Sequence, residues 1–211
     1  NKGFQDYRVF SNYGLIFRGI EELKKAEIYL RKAIELKPDY AEAHSNLGNI
    51  LRDLGKSQEA EIYHRKAIEL NPNLAEAYSN LASVLNDLGK LEEVEAFCSK
   101  ALTLKPNLYA ALKNRWKYFF NQGEFERALK DSDSCNTSES RAFSLESLYA
   151  LGRIDEIYKR IEKTSKLDNE NIRLAAFSSF ITAKENKETS NNFCRNPLSF
   201  LHFSNLKFHL K

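Results

Sequence analysis

Residues 41–74 read AEAHSNLGNILRDLGKSQEAEIYHRKAIELNPNL, and residues 75–108 read AEAYSNLASVLNDLGKLEEVEAFCSKALTLKPNL. The two stretches agree at 19 of 34 positions, and Pro38, Pro72 and Pro106 keep the same interval of 34 residues. A fixed period of this kind marks one structural unit repeated along the chain. Carried one period toward the N-terminus it adds residues 7–40, so positions in each unit can be numbered 1 to 34 from Tyr7, Ala41 and Ala75.

Apolar or small residues fall at positions 4, 7, 8 and 11 and again at 20, 24, 27 and 30, which makes two amphipathic helical faces. In the second unit these are His44, Leu47, Gly48 and Leu51, then Ala60, His64, Ala67 and Leu70. Leu54-Gly55-Lys56 parts the two faces, because glycine most readily ends a helix, and Pro72 stops the second face from continuing. Each unit therefore predicts a helical hairpin.

Such units resemble the tetratricopeptide repeat (TPR), which has the same 34-residue period, the same proline and small residues where helices approach closely. Here the small positions are Gly14, Gly48 and Ala82 in the first helix, and Ala26, Ala60, Ala33, Ala67 and Ala101 in the second. The resemblance implies an all-α fold, a right-handed α-α superhelix (TPR solenoid) of about five to six hairpins with the first helices lining a concave groove. It also implies a scaffold for protein–protein interaction rather than an enzyme.

The pattern weakens beyond residue 108 but can be followed. A shortened fourth unit, 109–137, has Arg115 and Trp116 where leucine and a small residue are expected. Gly123 and Gly152 are only 29 residues apart, which places a deletion of about five residues in the polar run DSDSCNTSES at 131–140. A fifth unit covers 138–171 and a degenerate sixth 172–190, completing a solenoid over 1–190. Residues 191–211 are rich in phenylalanine, and Asn196-Pro197 predicts a final helix that caps the stack. The same segment resembles the junction in certain bacterial TPR proteins that carry a downstream iron and 2-oxoglutarate dependent oxygenase domain. Under that alternative the chain is a substrate-recognition arm, and the catalytic domain lies outside it. Methionine is absent from the sequence, so the natural start is expected upstream.

Composition narrows the function further. The 32 basic and 29 acidic residues are interleaved, for a net charge of +3, without the basic stripe that attracts a phosphate backbone. Nucleic acid is not an expected partner. No apolar run approaches the roughly 18 residues that span a bilayer, and the opening NKGFQDYR lacks a signal-peptide core. With Cys98, Cys135 and Cys194 widely spaced, the chain reads as a soluble cytoplasmic protein with reduced thiols and no membrane partner. His44, His64, His202 and His209 lack metal-ligand spacing, and no glycine-rich phosphate loop is present, so no cofactor, metal site or catalytic residue is expected. His44 and His64 fall on core positions of one unit and read as a satisfied core pair, while Trp116, Phe119 and Phe120 read as core at a distorted junction.

On a helical wheel, positions 2, 6, 9 and 13 of the first helix lie opposite positions 4, 7, 8 and 11. Position 6 is Asn12, Asn46, Asn80 and Asn114 in four successive units. Asparagine is a mediocre helix former, and its amide both donates and accepts, so a row of them suits the backbone of an extended peptide. The row resembles the asparagine ladder in the superhelical repeats of O-linked N-acetylglucosamine transferase, which implies peptide binding at those four residues. The alternative is recent copying of Asn46 and Asn80, but Asn114 persists in a unit that has diverged almost everywhere else. The stripe also holds Glu42, Asn49, Asp53, Glu76, Ser83 and Asp87, with Lys117 and Asn121 in the fourth unit. Its carboxylates favour a segment with basic or hydroxyl side chains. Serines 11, 45 and 79 at position 5 do not meet the two-carboxylate clamp of TPR cochaperones. A third reading has the Phe193 to Phe208 segment packing on a second copy of the chain.

Overall fold

A computed structural model describes residues 6–164, together with Ile181 and Lys184. The sixth unit apart from Ile181 and Lys184, the segment Phe193 to Phe208 and the capping helix lie outside the described residues. Ten α-helices are present and no strand occurs among the described residues. The first six run as hairpin pairs in sequence order: α1 (Tyr7–Gly19) with α2 (Leu23–Leu36), α3 (Ala41–Asp53) with α4 (Ser57–Leu70), and α5 (Ala75–Leu88) with α6 (Val94–Leu104). Then come α7 (Tyr109–Asn121), α8 (Phe125–Asp133), and α9 (Ser138–Ala150) with α10 (Ile154–Thr164). The fold is an all-α helical repeat solenoid.

Gly55, with φ of 77°, takes the left-handed conformation that closes the turn after a first helix. The first unit holds Glu21 at the same position, at φ of 62°, in a conformation that costs a side chain of this kind about 1 kcal/mol or more. Contacts divide the chain into two compact units, 1–118 and 119–211.

In the first unit, each hairpin is closed by contact between positions 8 and 24. A Cβ on Gly14 would stand 2.5 Å from Leu30 Cγ, and one on Gly48 would stand 2.7 Å from the His64 ring. The third hairpin has Ala82 facing this region with the smaller Cys98 in the same core cluster. Leu47, Ile50 and Leu51 join Ala26 and Leu30 of the preceding hairpin and Val84 of the following one in a continuous core.

Both histidines are buried, but they do not form the satisfied pair expected of them. His44 turns its Nε2 to the Pro38 carbonyl at 2.8 Å and stacks on Tyr63, whereas neither His64 nitrogen finds a partner. Gly48 brings α3 so close that the Cε1, Nε2 and Cδ2 atoms of the His64 ring stand against it, and neither ring nitrogen has a hydrogen-bond partner there. Burial, with Arg52's charge adding to it, lowers the His64 pKa to about 4.

The second helices carry a repeated ion network. Glu27 accepts from Arg31 and Lys56, and Glu61, one period later, accepts from Arg65 and Lys90. Burial acts to raise both carboxyls, but their cationic partners outweigh it and hold them below the usual range.

In the second unit, Leu129, Leu145, Leu148, Ile157, Ile161 and Ile181 form the core. Helix α8 has nine residues where α2 and α4 have fourteen, so the shortening falls at its C-terminal end. The polar run 131–140 is more structured than its composition suggests: Asp131 and Ser132 are buried in α8. The Ser144 hydroxyl lies within hydrogen-bond distance of Ser132 Oγ and Asp133 Oδ1, and Arg160 also donates to Asp133. Thr137 starts α9 through a capping box with Ser140. Trp116 in the first unit and Phe119 in the second are both buried.

Candidate functional site

The candidate site begins with what stacking leaves uncovered. Along α3 the residues that are not buried are Glu42, Asn46, Asn49, Arg52 and Asp53. Along α5 they are Glu76, Asn80, Ser83, Asn86, Asp87 and Leu88. Core packing takes most other positions on both helices, so positions 2, 6, 9 and 13, with position 12 beside them, remain as an open polar stripe. Asn12 is exposed on α1, and α7 places Asn114 half-buried and Lys117 exposed at the corresponding positions.

The structure adds a feature to this stripe that the wheel did not show. Asn80 donates from Nδ2 to Ser45 Oγ at 3.4 Å, and Asn114 donates from Nδ2 to the Ser79 carbonyl at 2.9 Å. In both cases position 6 of one unit reaches position 5 of the unit before it. A second tie follows the same stagger: Arg18 donates to Asp53 at 2.9 Å and Arg52 to Asp87 at 2.7 Å. Asn12 and Asn46 carry no such tie among the described residues.

Two consequences follow for binding. An asparagine held through one N–H has its amide plane fixed, so its Oδ1 is oriented rather than swinging free. Asp53 and Asp87 each stand beside a guanidinium, so the stripe is less acidic than its carboxylates alone suggested. Glu76 likewise accepts from Lys105 at 2.8 Å. Sequence reasoning missed the partners Ser45, Ser79, Arg18 and Arg52, although the signal was present as Ser at 5 beside Asn at 6 and Arg at 12 beside Asp at 13. Among the described residues, no group of three or more His, Cys, Asp or Glu is placed to hold a metal ion. No helix of the described residues is long and apolar enough to cross a membrane.

Comparison with known proteins gives the same architecture. Models of the tetratricopeptide repeat match residues 41–74 and 75–108, and a further TPR repeat model matches 14–55. No curated protein matches the chain by sequence. Among solved structures, PilF of Pseudomonas aeruginosa superimposes with a TM-score of 0.69 at 17% identity, covering 83% of this chain and 82% of its own. PilW, a widely conserved type IV pilus biogenesis factor, gives 0.72 at 19% identity, covering 81% of each chain. The first TPR of Spaghetti (RPAP3), bound to the HSP90 peptide SRMEEVD, gives 0.53 at 22% identity, covering 57% of this chain and 98% of its own. At these identities the likeness is one of fold. The repeats matched between residues 14 and 108 are thus tetratricopeptide repeats.

Proposed function

We propose that the chain is a protein–protein interaction scaffold that holds an extended peptide or segment of a partner protein along the open stripe of α1, α3, α5 and α7. Asn12, Asn46, Asn80 and Asn114 pair with the backbone of that segment, while Asn49, Asp53, Ser83, Asp87 and Lys117 border it. The observation that carries this reading is the fixed amide of Asn80 and Asn114, each tied by one N–H to the preceding unit while still only half-buried. Because Asp53 and Asp87 already face arginines, the segment is expected to be polar and hydroxyl-bearing rather than strongly basic. The Spaghetti TPR, which holds a peptide, supports the general mode. The serines at position 5 are buried here, so an acidic chain terminus is not the feature read.

Asn46 gives the clean test, because its side chain makes no hydrogen bond among the described residues. Peptides selected on the unmodified chain from a random display library are titrated by calorimetry against Asn46→Ala. Loss of one or two hydrogen bonds to peptide predicts about tenfold weaker binding. The melting temperature stays unchanged. Equal affinity for the variant overturns the ladder.

A further inference from the structure

Positions 3, 7, 10 and 14 of a first helix fall within about 60° of one another on the wheel. In the second and third units this face meets the preceding hairpin: Leu47 and Ile50 share a core cluster with Ala26 and Leu30, and Val84 with Leu51 and Ala60. Ala43, Leu47, Ile50, Ala77, Leu81 and Val84 are all 0% exposed. On α1 and its C-cap the same positions are Val9, Tyr13, Ile16 and Ile20, and they are 40%, 46%, 57% and 61% exposed. The end of a solenoid is ordinarily polar, whereas this end is an apolar stripe in the register of the stacking interface.

We propose that this face is the seat of a further helical hairpin of the same polypeptide, upstream of Asn1, which stacks on α1 as α2 stacks on α3. Continuity with the interface inside the array supports this occupant over others.

The charges specify how the hairpin is held. Where the second and third units place Lys56 and Lys90 to reach backward, the first has Glu22, and where they place Glu59 and Glu93 it has Lys25. Glu22 and Lys25 pair with each other at 3.5 Å. The upstream hairpin is therefore seated by apolar burial and by an oxygen offered to Asn12, without the ion ladder.

The test compares the chain beginning at Asn1 with the same chain extended upstream by one 34-residue period of its own coding sequence. Ile16→Cys is placed in both, and maleimide labelling is followed at that peptide by mass spectrometry. Ile62→Cys, on an exposed face of α4, is the reference. Labelling at position 16 is expected to slow by about tenfold or more in the extended chain, with position 62 unchanged. The protection should persist in high salt. Equal labelling at position 16 in both chains overturns the proposal, as does a start codon directly before Asn1. Concentration-dependent protection of the shorter chain, with a doubled mass in light scattering, also overturns it and assigns the face to a second copy.

Discussion

At the scale of the residue, His64 sits against Gly48 with both ring nitrogens unpaired and its pKa lowered to about 4 by burial. In the unfolded chain the same imidazole takes up a proton near pH 6.5. Between the two values the unfolded state binds a proton that the folded state refuses, so stability falls as the pH drops through that window. The gap corresponds to about 3 kcal/mol at most. Urea midpoints measured from pH 7 to pH 4.5 should fall steadily, and His64→Leu should flatten that fall, because Leu30 already occupies the same position opposite Gly14. An unchanged slope in the variant would show that another group is responsible. The sequence placed both histidines in the core but could not pair them. Partner choice depends on the crossing of two helices, which a wheel drawn for one helix does not contain.

At the scale of the element, the contact between positions 8 and 24 sets how closely the two helices of a hairpin approach. Gly faces Leu30 or His64 in the first two hairpins, and Ala82 shares a cluster with Cys98 in the third. The third hairpin thus has a larger residue at position 8 and a smaller one at position 24, so volume added on one helix is given up on the other. Gly48→Ala should destabilise the chain by roughly 1–3 kcal/mol through overpacking. His64→Cys should restore most of that loss, by reproducing the third hairpin. Thermal melts of the single and double variants decide it, and additive losses would mean that the two positions are not coupled. The hairpins were legible because proline, glycine and the apolar faces recur every 34 residues. The end of α8 was not, because Asp131 and Ser132 look like loop residues. The contacts around Ser132, Ser144, Asp133 and Arg160 place polar side chains where apolar ones would otherwise be needed.

At the scale of the molecule, stability in a repeat array is the sum of what each unit contributes and what its neighbours add. Helix α3 is covered by hairpins on both sides, and its apolar residues reach 0% exposure, whereas α1 leaves Ile16 and Ile20 more than half exposed. Amide hydrogen exchange of the chain beginning at Asn1 should therefore show α1 least protected and α3 most protected within residues 7–108. Uniform protection across the three hairpins would mean that the array opens as a single unit. The stripe of asparagines was legible at this scale because exposure follows directly from which faces must be buried. The ties that Asn80 and Asn114 make were not, since they belong to the stagger between units and to no unit alone.

That stagger also bears on how such a protein changes over generations. The second unit offers Ser45 and Arg52 on one edge and Asn46 and Asp53 on the other, and the seam it makes with the third unit matches Ser with Asn and Arg with Asp. A copy of the second unit inserted after itself would present each edge to its complement. Unequal crossing-over between the gene segments for these units would lengthen or shorten the array in a single step while leaving every new seam closed. Selection can then act on reach, the number of partner residues spanned, without first repairing a fold.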